Sequence, residues 1–119
     1  MNIYEKIRDR SAIVAVIGQG YVGLPVAVRA AEVGFKVTGV ERDRARLIAL
    51  QSGSSFVEDV SDEALADATQ RGYQAVASLR EAPTPDVIVI SVPTPLRDGL
   101  PDLGFIREAA LDVGEVLAP

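Results

Sequence analysis

An apolar run that closes on three spaced glycines, an acid one strand later, and a second apolar run that ends in a proline-rich turn predict an α/β protein built on a doubly wound parallel sheet. The first run, Ala12 to Ile17, is dense in β-branched residues, as suits a strand buried on both faces. Gly18, Gly20 and Gly23 follow at G-x-G-x-x-G spacing. Gly18 permits the tight turn, Gly20 lets a diphosphate approach the backbone, and Gly23 lets the next helix pack close to the strand. Backbone N–H groups at that helix start are unpaired and carry partial positive charge, which suits two phosphates. A strand before and a helix after lift this spacing above an ordinary glycine-rich turn.

The elements follow in order. Met1 to Arg10 has the pattern of a short amphipathic helix, with Ile3, Tyr4 and Ile7 on one face, and is expected to cap the sheet edge. Leu24 to Val33 is helical, with Pro25 in the first turn, where a missing N–H costs least, and Gly34 as its stop. Phe35 to Val40 is the second strand. It ends at Glu41, eighteen positions after Gly23, against about twenty for an acid that holds a ribose. A carboxylate there accepts hydrogen bonds from ribose hydroxyls and repels a 2′-phosphate, so it favours NAD over NADP. Arg42 next to it reads as a solvated arginine at a helix start. Asp43 to Gln51 is the second helix of this series, with Arg46 facing back toward Glu41 or the adenosine.

Ser52 to Ser55 is a loop by composition. Ser61 caps a helix that carries Asp62 and Glu63 in its first turn, runs to about Arg71 and stops at Gly72. Glu58, Asp59, Asp62, Glu63 and Asp67 form a solvated acidic face rather than a metal site. Tyr73 to Val76 is a short strand, Ser78 to Glu81 one helical turn, and Asp86 to Val92 another buried strand. The turn after it, Val92, Pro93, Thr94, Pro95, Leu96, lies where such sheets bind ligands. Two prolines stiffen that turn around the Thr94 hydroxyl, which suits the nicotinamide half of a cofactor. Arg97 to Asp102 reads as a loop. Leu103 to Leu117 is a helix with Phe105, Ile106, Ala109, Ala110, Val113, Val116 and Leu117 inward. The plan is a Rossmann-like sheet of about four strands, order 3-2-1-4, with helices on both faces. It is truncated after its first mononucleotide-binding half.

Composition narrows the chemistry. At 119 residues the chain is one domain, and 48% hydrophobic residues allow a proper core. A net charge of −5 argues against nucleic acid or an anionic membrane surface as the main partner. There is no cysteine and no histidine. That removes disulfides, a thiolate nucleophile, an imidazole base and the usual zinc sites. The Ala12–Ile17 run is too short for a membrane span, and Glu5 and Asp9 interrupt any signal-peptide pattern. The expected location is the cytoplasm.

GQGYVGLP at Gly18 to Pro25 and SVPTPL at Ser91 to Leu96 together resemble the UDP-glucose/GDP-mannose dehydrogenase family. The leader IYEKI, GFKVTGVE, SSFVEDVSDEAL and the PTPL…PDL spacing are most similar to the bacterial UDP-N-acetylhexosamine 6-dehydrogenases. The resemblance implies the NAD-binding domain, residues 1–119, of an enzyme that oxidises a sugar C6 alcohol to a carboxylate in two hydride transfers. By matching position, Gly18, Gln19, Gly20, Tyr21, Val22 and Gly23 hold the diphosphate. Glu41 and Arg46 hold the adenosine ribose region, and Val92, Pro93 and Thr94 line the nicotinamide side. Glu41 stands where the family more often has aspartate, one methylene shorter.

The resemblance also implies a later half-sheet, a dimerisation region and a sugar-nucleotide domain, with the catalytic cysteine and lysine in them. This chain is therefore expected to bind NAD weakly or not at all, to turn over no UDP-sugar by itself, and to hold no catalytic residue and no metal. Its open sheet edge invites a homo-oligomer. Other readings are a non-enzymatic NAD- or nucleotide-sensing module, a dehydrogenase half that works with a partner chain, and a β-hydroxyacid dehydrogenase with the same opening fold.

Overall fold

Strand β1, Ile13–Ile17, sits between two parallel neighbours. Val14 pairs with Val37 of β2 (Lys36–Val40) on one side and with Val87 of β4 (Val87–Ile90) on the other. Strand β3, Gln74–Val76, pairs with β2 and completes a four-stranded parallel sheet of order β3-β2-β1-β4. The structure, a computed structural model, describes residues 1–117.

Alternation along β1 sorts its side chains between two cores. Val14 and Val16 join Leu24, Ala27, Val28 and Ala31 of helix α2 (Gly23–Glu32), together with Leu65 and Ala68 of α4 (Asp62–Gln70). Leu50 of α3 (Arg44–Gln51) closes the same layer. Ala15 and Ile17 face the opposite way, against Leu79 in a 3₁₀ turn (Leu79–Glu81) and Ala109 of α5 (Gly104–Val116). Helices thus cover both faces.

Local chemistry sets the helix starts. Asp43 accepts from the Arg46 amide and Ser61 from the Ala64 amide. Ser78 and Glu81 form a reciprocal capping box around the 3₁₀ turn. In the acidic stretch Asp62 accepts from the Ser55 amide and Asp67 pairs with Arg71, while Glu58, Asp59 and Glu63 are exposed.

Helix α1, Ile3–Asp9, does not cover the sheet edge. It sits at the amino ends of β1 and β4, with Ile3, Tyr4 and Ile7 still exposed. Asp86 holds it there. One carboxylate oxygen accepts from the Ile13 amide at 2.9 Å and the other from Lys6 Nζ at 2.9 Å. The Ile13 amide, then Lys6, hold the Asp86 carboxyl below the ordinary value of 3.8. A depressed carboxyl stabilises the fold above its unfolded pKa and loses that contribution as pH falls through the lower native one. Asp86→Asn is therefore expected to lower the melting temperature at neutral pH and to flatten its decline below 3.8. Melting curves from neutral pH down to about 2 check this, and superimposable acid limbs would remove Asp86 from the role.

Three further expectations change. Strand β4 is half-buried rather than fully buried, because no strand pairs with its outer side among the described residues. Helix α5 buries only a narrow stripe, Ala109 with Val113 and Val116, because it meets the sheet over this edge strand and the 3₁₀ turn. Phe105, Ile106, Ala110 and Leu117 are consequently exposed, not inward. Finally, Arg97 to Asp102 is not a plain loop. Strands β5 (Leu96–Arg97) and β6 (Leu100–Pro101) form a small antiparallel hairpin. Its turn, Asp98-Gly99, has φ of 54° and 79°, the consecutive positive values that a tight hairpin requires.

Candidate dinucleotide site

The carboxyl ends of β1, β2 and β4 open into a crevice of about 890 Å³. Its floor is the glycine loop. Gly18 has φ +93°, and a Cβ there would lie 1.8 Å from the Ser91 carbonyl oxygen at the end of β4. A Cβ on Gly23 would lie 1.7 Å from the Gly18 carbonyl oxygen. These two glycines are therefore packed against backbone that cannot step aside. Gly20 differs, since a Cβ there meets only Arg46 Nη1, at 4.0 Å.

The loop leaves donors free. The Gly18 amide donates to Val40 and the Gln19 amide to Glu41, at 2.8 and 3.1 Å. Among the described residues, the amides of Gly20, Tyr21, Val22 and Gly23 donate to no protein group. Helix α2 begins there, and its N-cap residue, Val22, supplies no side-chain cap. Its orphan donors face a crevice rather than a capping residue, the arrangement that binds anions.

Glu41 forms the opposite wall. It is only 8% exposed. One oxygen accepts from the Gln19 amide and the other from the Asp43 amide, at 3.1 and 3.0 Å. Each oxygen keeps a lone pair for a ligand hydroxyl. Arg46 does not pair with Glu41. Its guanidinium lies over the Phe56 ring, 5.1 Å from the centroid, while lining the crevice beside Gly20.

Arg42 also reaches the crevice and pairs with Glu108 of α5. Phe105 and Glu108 belong to this wall, and the sequence reading did not place them there. Their signal was the register of α5, which turns Phe105 out of the core.

Val92 and Pro93 line the crevice beside the glycine loop, as do Gln19, Tyr21 and Val22. Thr94 is not brought in. It is exposed, beyond the lining, and its hydroxyl makes no hydrogen bond among the described residues. Gln19 lines the crevice through its backbone, because its side chain is fully buried beneath the loop. There its Oε1 accepts from the Tyr73 hydroxyl at 2.7 Å. Burial, then the charge of Glu41, raise the Tyr73 pKa, so the phenol stays protonated. Tyr73 escaped the sequence reading, although a glycine inside β2 was a signal for such a close approach.

The model of a known family's NAD-binding domain matches residues 12–119, nearly the whole chain. The chain belongs to the UDP-glucose/GDP-mannose dehydrogenase family. The UDP-N-acetyl-D-mannosamine dehydrogenase of Yersinia pestis is 36% identical over 107 residues, covering 87% of this chain and 25% of that protein. The UDP-N-acetyl-D-glucosamine 6-dehydrogenase of Pseudomonas aeruginosa is 34% identical, with 87% and 24% covered. A solved UDP-D-ManNAc dehydrogenase from Pyrococcus horikoshii superposes with a TM-score of 0.82 at 30% identity, over 88% of this chain and 26% of that one. The chain thus spans about a quarter of the length of the curated relatives it matches.

Membership makes this a NAD-binding domain, and the crevice fits the coenzyme. Among the described residues, four amides without a protein partner could take a diphosphate, the bare Gly20 leaves room for one, and the Glu41 carboxylate could accept from a ribose diol.

Proposed function

We propose that this chain is the NAD-binding N-terminal part of a nucleotide-sugar 6-dehydrogenase, which oxidises the C6 alcohol of a UDP-sugar to a carboxylate with two NAD. The observation that carries the reading is the run of unpaired amides from Gly20 to Gly23 over an open Gly20, with the Glu41 carboxylate across the crevice. In this reading Gly18 to Gly23 cradle the diphosphate and Glu41 accepts from the adenosine ribose. Arg46 borders the adenosine, while Val92 and Pro93 face the nicotinamide; Thr94, outside the crevice, has no part in it. NAD supplies the hydride acceptor. This chain's residues bind and orient it; with no cysteine and no histidine, it offers neither a thiolate nucleophile nor an imidazole base.

Residues 1–119 act as one cofactor-binding unit, with the UDP-sugar and the dimer contact handled by further chain in the parent enzyme. The work is cytoplasmic. Among the described residues, no helix is long and apolar enough to cross a membrane.

Calorimetric titration of the 119-residue chain tests the reading. Because the described walls serve the adenosine diphosphate half, ADP-ribose and NAD are expected to bind within about threefold of each other, and NADP roughly tenfold more weakly. No NADH should form with UDP-N-acetylglucosamine. The adenosine-side groups are present in this chain, which favours weak binding over none; failure of all three nucleotides to bind at millimolar concentration, or real turnover, would defeat the proposal.

Among the described residues no strand pairs with the outer side of β4, where Ile90 is exposed, which favours self-association of this 119-residue chain by strand pairing. Light scattering should show mass rising with concentration, and Ile90→Lys should suppress the rise. A constant monomer mass would exclude the contact.

A further inference from the structure

Gly39, in the middle of β2, marks a place where something comes close to the backbone. A Cβ there would lie 2.3 Å from Gln19 Oε1 and 2.7 Å from the Tyr73 hydroxyl oxygen. The strand is hollowed out for two buried polar side chains, one from the glycine loop and one from the residue before β3.

The pair is fully satisfied. Gln19 Nε2 donates to the Val16 carbonyl at 3.1 Å and to the Gly18 carbonyl at 2.9 Å, and Oε1 accepts from Tyr73 at 2.7 Å. The reversed amide would set an oxygen against two carbonyl oxygens, so only this orientation works. The backbone of the same residue donates to Glu41. Gln19 therefore ties the loop to β1 below it and to the ribose-side acid across from it.

An apolar pair would fill this space without the desolvation that a buried polar pair incurs. What the polar pair adds is directional: it holds the Gly18 carbonyl and hence the Gly18–Gln19 peptide, one residue before Gly20.

We propose that Gln19 and Tyr73 are positioning residues, an internal strut that sets the height of Gly18–Gly20 over the sheet and so the aim of the amides of residues 20–23 at a diphosphate. Neither side chain touches the ligand. The inference rests on the dinucleotide reading of the crevice.

Tyr73→Phe removes one oxygen and keeps the ring. Gln19→Met keeps the length and removes the polar atoms. Each variant is titrated with ADP-ribose and with adenosine, and the amide resonances of Gly20 to Gly23 are followed by NMR in the ligand-free chain. The strut predicts shifted loop resonances before any ligand is added. It also predicts ADP-ribose binding weakened roughly fivefold in Tyr73→Phe, with adenosine binding unchanged. A merely structural role would lower the melting temperature while the folded protein bound both ligands normally, and that result overturns the strut. So do unmoved loop resonances with unchanged affinity for ADP-ribose. A wild-type chain that binds no ADP-ribose overturns the reading of the crevice instead, while the ligand-free resonances still report on the strut separately.

Discussion

Gly20→Ala is expected to leave the fold intact and weaken dinucleotide binding, whereas Gly23→Ala is expected to destabilise the fold. The two changes add the same methyl group to one loop. At Gly20 the backbone φ is not positive, and the new carbon meets only the end of a flexible arginine. Its methyl projects where the diphosphate must approach, so NAD affinity should fall at least tenfold, about 1.4 kcal/mol, with little change in melting temperature. At Gly23 the new carbon would stand 1.7 Å from the Gly18 carbonyl oxygen. Alanine is the better helix former by about 1 kcal/mol. That gain cannot offset moving a loop held on both sides, so a loss of about 3 kcal/mol or more is expected. Against a total of about 5–15 kcal/mol, this shifts melting by on the order of 10 °C. Thermal melts beside calorimetry separate the outcomes. A Gly20→Ala protein that binds NAD normally would remove the diphosphate from this loop.

Glu41→Ala is expected to reduce both stability and coenzyme selectivity. The carboxylate is nearly buried and accepts two backbone amides. Deleting it leaves those donors unpaired at a cost of about 1–3 kcal/mol, visible as a lower melting temperature. The ribose loses its acceptor, so NAD binds more weakly. A 2′-phosphate loses its repelling charge, so the NAD-over-NADP preference should shrink toward unity. Parallel titrations with the two coenzymes give the ratio. An unchanged ratio would mean that Glu41 serves the protein backbone alone.

Much of this was legible in the chain. The six residues before Gly18 are apolar because both faces of a central parallel strand are buried, and the structure puts Ile13–Ile17 there. Ser61 and Gly34 bounded helices by chemistry that operates within a few residues. Errors arose where the outcome depended on what lies across space. Phe105 and Ile106 have core-type side chains, yet α5 meets the sheet only along Ala109, Val113 and Val116. Asp98-Gly99, by contrast, is a local hairpin signal, and the structure turns the chain there.

The candidate site divides in the same way. Spacing alone marked the glycines and Glu41, because the coenzyme's dimensions impose fixed intervals along the chain. Spacing could not show that Arg46 rests on Phe56 instead of pairing with Glu41. Nor could it show that Gln19 turns its side chain inward to meet Tyr73, 54 residues away. The sequence by itself determined the strand–glycine–helix unit and the helix boundaries, which follow from local backbone preference and periodic burial, and the coenzyme class, which follows from a carboxylate at a fixed distance after the glycines. Only the tertiary structure decided which polar groups are used up inside the protein and which remain free for a ligand, because hydrogen-bond partners are chosen by distance in space.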